Sequence, residues 1–171
     1  FGIVFLSILL FSFFYYANFL KKTTKELLSK NTELTVCEII GYSTYKGRTD
    51  IIEYIVNGKR YERELLARRT AEIGEFYELK YSKSKPEFCE VNYKKPKIHN
   101  AENYIKSKGI VNEIYENEKY KILTFEYNYL KENYERDVYL YNLQNYEEGK
   151  KIEIIINKTN PKISYLTKQI E

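Results

Sequence analysis

Cys37, Cys89 and His99 are the two cysteines and the single histidine of this chain, and their positions limit the chemistry open to it. Each cysteine keeps the two-residue phase of an apolar neighbour, Ile39 or Val91, so both are expected on the buried face of a strand. They fall in the first and last strands of one short β-unit, strands that become neighbours if a small sheet closes on itself. Two readings follow: a disulfide, which needs an oxidising compartment, or a pair of buried thiols. His99 lies in the basic stretch KKPKIHNAENYIKSK, where solvent rather than a reacting group is the expected neighbour. No HExxH, CxxC or Cys/His cluster is present, so no transition-metal site is expected. Seven scattered glycines form no phosphate-cradling loop, and no serine sits in a G-x-S-x-G elbow. Glu62/Glu64 and Glu147/Glu148 read as solvated charges. The expectation is no catalytic, cofactor-binding or metal-binding residue, and no enzyme.

Charge narrows the partners. The formal net charge is +4 over 171 residues, and most of the excess comes from Lys21, Lys22, Lys25 and Lys30, opposed in that region by Glu26. The remainder is close to neutral and lacks the single-sign field that nucleic-acid binding requires. The lysines follow FGIVFLSILLFSFFYYANFL, twenty residues without a charge. As a helix that stretch spans about 30 Å, the hydrocarbon thickness of a bilayer. Tyr15 and Tyr16 sit where an interfacial aromatic belt belongs, and Lys21 and Lys22 mark the water boundary. A cleaved signal peptide would have a shorter apolar run and a small-x-small site, which the neighbours of Ala17 do not supply. Residues 1–20 are therefore expected to be a single-pass signal anchor, with the lipid bilayer as partner. The lysine cluster alone would hold the C-terminal part in the cytoplasm. Phe1 implies further residues upstream, where a few lysines would reverse that bias, and the expected side is extracytoplasmic.

The rest of the chain repeats itself. Val36-Cys37-Glu38-Ile39 matches Val111-Asn112-Glu113-Ile114, Glu53-Tyr54 matches Glu126-Tyr127, and Tyr61-Glu62-Arg63 matches Tyr134-Glu135-Arg136. Gly74 then matches Gly149 and Pro86 matches Pro161. Such an ordered series is the signature of a duplicated module. On this alignment Cys37 and Cys89 face Asn112 and Ser164. Nineteen tyrosines and nine phenylalanines, with no Trp or Met, suit strands, although an AT-rich genome gives the same bias.

Each copy reads as short strands. Asp50–Val56 and Lys121–Tyr129 are rich in Ile, Tyr, Phe and Thr; Tyr77–Tyr81 and Lys151–Asn157 each follow a glycine. Asn57-Gly58 predicts a two-residue hairpin turn with both φ angles positive, whereas Leu130-Lys131-Glu132-Asn133 predicts a longer turn. Arg63–Ile73 has helical propensity, but its counterpart RDVYLY is strand-like, so Tyr61–Ala67 is read as strand. Lys83-Ser84-x-Pro86 and Lys158-Thr159-x-Pro161 predict turns whose proline opens the final strand.

A membrane helix, a hairpin around Gly58-Lys59-Arg60-Tyr61, a later Gly74, and Tyr81 to Pro86 together resemble a bacterial domain-of-unknown-function family of small membrane-anchored β-domains. The likeness covers residues 35–92 well and 109–166 more loosely, where Lys131 replaces Gly58 and Ile156 replaces Tyr81. It implies an architecture, present as two tandem copies, and no activity.

The expected fold is mainly β: an N-terminal transmembrane helix followed by two tandem small β-sheet or partly open barrel modules. Its parts are the anchor (1–20), a juxtamembrane segment (21–34), module 1 (35–93), a linker (94–108) with a helical turn over Ala101–Lys106, and module 2 (109–171). The expected function is a structural or protein-interaction unit. The alternatives are a membrane-held immunity or inhibitor protein against a toxin, and a sensor for small molecules or glycans. The last requires a concave aromatic surface, for which YENEKYKIL (115–123) is the candidate stretch.

Overall fold

The computed structural model describes residues 15, 19, 22–44, 49–66 and 71–170. The membrane-span assignment of residues 1–20 falls outside these, apart from Tyr15 and Phe19, both exposed. Among the described residues no helix is long and apolar enough to cross a membrane. Helix α1 (residues 22–29) buries Leu28, and Asn31, at φ 51°, turns the chain out of it.

The chain is mainly β. Strands β1 (Thr32–Ser43), β2 (Thr49–Val56), β3 (Lys59–Leu66), β4 (Phe76–Ser82) and β5 (Cys89–Lys97) form one antiparallel sheet in the order β3-β2-β1-β4-β5. After a 3-10 turn at Ala101–Asn103 come β6 (Tyr104–Glu116), β7 (Lys121–Tyr129), β8 (Glu132–Tyr139), β9 (Lys151–Asn157) and β10 (Ser164–Leu166), then helix α2 (Thr167–Ile170). Their order, β10-β9-β6-β7-β8, is the first sheet's order read from the other end. The expected linker is correspondingly shorter: β5 runs to Lys97 and β6 starts at Tyr104, so only the turn survives of the helical segment expected over 101–106. The end of the juxtamembrane segment likewise belongs to β1.

Alternation builds two cores. Cys37, Ile39, Ile52, Tyr54, Tyr77, Leu79 and Tyr81 line the inner face of the first sheet; Val111, Leu123, Phe125, Tyr127, Val138, Ile154 and Ile156 line that of the second. Ile155, on the opposite face of β9, joins Ile163 and Tyr165 in a third cluster against which Ile98, Tyr104 and Ile170 pack. The short connection is thus part of a core.

Register corrects the sequence alignment of the first strand. Ile39 faces Ile52 before a bulge that ends at Gly41, and Val111 faces Phe125 before a bulge that ends at Glu113. Ile39 is therefore the counterpart of Val111, not of Ile114. By the same register Cys37, opposite Tyr54 and Tyr77, corresponds to Gly109, opposite Ile152. Asn112 is the bulge residue. The shared Val-x-Glu-Ile string misleads because it matches letters three residues out of register, across a strand that mixes apolar and polar residues in both copies.

The proline turns are also relocated. Phe88 N–H donates to Lys85 C=O and Ile163 N–H to Asn160 C=O, closing four-residue turns with Pro86 and Pro161 in second place, where the ring's fixed φ fits. The strands begin later, at Cys89 and Ser164. Each proline carbonyl accepts a tyrosine hydroxyl from across the sheet: Tyr54 to Pro86 at 2.7 Å and Tyr127 to Pro161 at 2.5 Å. Those tyrosines stack on Tyr61 and Tyr134, with centroids 5.5 and 5.6 Å apart. The Lys-[Ser/Thr]-x-Pro string occurs twice because one turn is tied down twice in the same way.

The second hairpin is as short as the first. Asn57 and Gly58 adopt φ 50° and 76°, while Leu130 and Lys131 adopt φ 51° and 71°, so Tyr129 pairs directly with Glu132. Two residues with side chains are held in the left-handed region because the flanking register demands it. Lys131→Gly should raise stability by about 1 kcal/mol, and Gly58→Lys should lower it by a similar amount; denaturant midpoints of the two variants check both signs.

Candidate functional site at the module junction

Gly74 and Gly149 occupy equivalent corners. Both have positive φ, 88° and 76°, and their N–H groups donate to Ile39 and Val111 carbonyls at 2.8 Å. The next residue differs in sign: Glu75 in the first copy, Lys150 in the second. Lys150 stays in solvent, paired with Glu147. Glu75 is wholly buried and meets Arg136 of β8, itself 5% exposed. Arg136 Nη2 donates to Glu75 Oε1 at 2.5 Å. Glu75 Oε2 accepts from the Tyr77 hydroxyl at 2.8 Å and the Glu72 N–H at 2.7 Å. Two modules are thus joined through one carboxylate with three donors. A Cβ at Gly74 would lie 4.0 Å from Ile163, which places the corner of module 1 against the third apolar cluster.

Burial works to lower the Arg136 pKa, but the adjacent Glu75 carboxylate and the nearby Tyr77 and Tyr165 outweigh it, so the guanidinium stays charged. Burial, then Glu75, pushes Tyr77 far above the ordinary phenol range, and burial does the same to Tyr165. Both hydroxyls remain neutral at any physiological pH. Removing either partner of such a pair typically costs about 3–5 kcal/mol, because a desolvated charge is left behind.

The two cysteines are buried free thiols in one core cluster. The sheet does not close: β4 lies between β1 and β5, so the expected adjacency of first and last strands is absent. Burial, followed by the neighbouring Cys89, pushes the Cys37 thiol up to about 12, and burial also raises Cys89. In the second copy Gly109 and Ser164 take their places. Gly109 is there because a Cβ would stand 3.1 Å from the Glu126 carbonyl and 3.2 Å from the Phe125 ring. His99 is exposed, as expected, and stacks on Phe76 beside the 3-10 turn, centroids 4.9 Å apart. The carboxylates of Glu62, Glu64, Glu147 and Glu148 are not drawn into one site.

A cleft of about 370 Å³ opens where the outer face of the first sheet meets the second module. Its floor is built from β4 and β5, with Leu34 of β1 at its margin. Tyr120, Tyr139 and Tyr141 come from module 2 and form its wall. Asn92 Nδ2 donates to the Tyr141 hydroxyl at 2.8 Å, and Lys94 Nζ lies 4.8 Å from that ring's centre. The stretch YENEKYKIL contributes Lys119 and Tyr120. Sequence pattern points to that stretch but not to Glu75, Arg136 or Tyr141. The available signal for the junction is the sign reversal from Glu75 to Lys150 at a matched corner. Arg136 by itself is indistinguishable from its match Arg63, which is exposed.

No family model, no curated protein and no solved structure matches this chain.

With both thiols held protonated, native full-length protein purified under reducing conditions should resist iodoacetamide at pH 7.5, and urea-unfolded protein should take up two labels. Rapid labelling of the native form would contradict the buried, raised-pKa assignment.

Proposed function

We propose that the chain is a non-enzymatic binding unit, tethered to a membrane through residues 1–20, whose two β-modules work as one body. The uncharged first twenty residues and the lysines behind them support the tether. The buried ionisable groups support a role without chemistry, because they are committed to structure. Glu75 holds Arg136 and Tyr77, and Asp50, fully buried, accepts from Tyr93.

The observation that carries the binding reading is the state of the sheet edges. β5 has Pro96 in it and α2 packed on it. β10 is three residues long, and β8 is backed by β5 and anchored through Arg136. β3 is eight residues long, has β2 as its strand partner, and lies at the end of its sheet. A partner strand can add there. Lys59, Arg60, Glu62, Arg63 and Glu64 prevent indiscriminate pairing, so the partner is a protein segment whose charges complement that order.

The Val56–Lys59 register of the hairpin aims the N–H groups of residues 60, 62 and 64 away from β2. Full-length protein carrying a photo-crosslinking residue in place of Arg60, irradiated in its own membranes, should give one discrete protein adduct. Glu62→Pro, which removes an outward N–H without touching the ladder to β2, should abolish it at an unchanged unfolding midpoint. An adduct that survives this substitution, or none in the parent protein, defeats the edge-binding reading.

A further inference from the structure

We infer that the cleft between the modules is a carbohydrate-binding site, taking a short, uncharged oligosaccharide. This site is separate from the β3 edge. Strand register lays two rows of side chains across the open face of the first sheet, Leu34, Lys80 and Glu90 in one and Val36, Glu78 and Asn92 in the next, all but Val36 lining the cleft. Leu34 and Val36 are exposed, at 61% and 43%, which leaves an apolar strip on the open face of the sheet. Tyr141 stands over the second row, 58% exposed, yet held by Asn92 and Lys94 from the other module. Tyr120 and Tyr139 rest against each other at 6.1 Å and 60°.

Two properties select the ligand class. The first is charge. Lys80 stands directly across from Glu90 in the ladder, and Glu78 is bound by Lys95 and Asn92. With Lys94 and Lys119 the lining holds three lysines against two glutamates, and Lys94 lies over the Tyr141 ring, so only a slight positive excess remains in place of the strong single-sign field that a phosphate or nucleotide site uses. The second is the alternation of flat rings with heads of both hydrogen-bonding kinds. Lys80 and Lys119 donate, while Glu90 accepts, and Tyr141, 58% exposed, presents a ring face. A pyranose has that complementary form: a C–H face that lies on an aromatic ring, and a rim of hydroxyls that both donate and accept. The cleft's volume lies within the range of ordinary ligand pockets. The buried Glu75–Arg136 bridge keeps its two walls in register before any ligand arrives, so binding carries little ordering cost.

Full-length protein in detergent, titrated calorimetrically with chitotetraose, cellotetraose and maltotetraose, should bind at least one of them at a single site. Tyr120→Ala and Tyr141→Ala should each weaken that binding tenfold or more. Tyr115→Ala, at an exposed tyrosine outside the cleft, should leave it unchanged. Tyr141 also contributes to docking, so if Tyr141→Ala misfolds, Tyr120→Ala at an unaltered unfolding midpoint is the deciding variant. The assignment is overturned if none of the three sugars binds at millimolar concentration. It is also overturned if binding survives both tyrosine losses, or if a polyanion such as heparin or an acidic peptide displaces the sugar.

Discussion

The bond between Glu75 and Arg136 is the constraint on which the arrangement of this molecule rests. Each sheet makes its own core by alternation, and neither needs the other for its ladders. What neither sheet can do alone is satisfy a fully buried carboxylate or a buried guanidinium. Glu75 takes three donors, one of which comes from the other module. Arg136 Nε remains without a hydrogen-bond partner, so the pair is not an optimised source of stability. Its effect is selective: a displaced docking would bury two unpaired charges, while the observed one buries a matched pair.

Duplication normally yields two equivalent faces, and equivalent faces invite open-ended stacking. Here the two corners differ by a single sign. Gly74-Glu75 and Gly149-Lys150 share backbone geometry, yet only the first can receive an arginine. The matching arginine of module 1, Arg63, stays in solvent, and Lys150 would repel a further module docked in the same sense. Among the described residues the pair therefore forms in one direction, from Arg136 of module 2 to Glu75 of module 1. The cleft and its tyrosines follow from that fixed geometry, as does the separation between cleft and sheet edge.

Much of this architecture is legible in the sequence because it follows from local rules. The strands over 121–129 and 151–157 can be read from their β-forming residues and, for the second, from the glycine before it, the Asn57-Gly58 hairpin from its φ requirements, and the paired proline turns from their repetition. The departures have separate physical causes. Leu130-Lys131 is forced into a turn that its residues disfavour, because register on both sides outweighs their propensity. Letter matching sets Cys37 opposite Asn112 because the shared Val-x-Glu-Ile string recurs three residues out of register, while the bulge falls at the same place in both copies. The helical look of RELLARR yields to β2, which gives the start of that stretch a ladder. The site is scarcely legible. Burial of Arg136 and exposure of Arg63 depend on which module lies against which, and no local pattern encodes that choice.

The buried ion pair, helped by the Asn92–Tyr141 bond and by α2 packed on β5, thus joins two look-alike sheets. Residual dipolar couplings of backbone amides in both sheets, recorded on the full chain in aligned detergent micelles, test this most directly. A single alignment tensor should fit both sheets in the parent protein. Two different tensors should be needed once Arg136→Ala removes the bridge, with the couplings inside each sheet still mutually consistent. Separate tensors in the parent protein, or a single shared tensor that persists in Arg136→Ala, would contradict the role given to the pair.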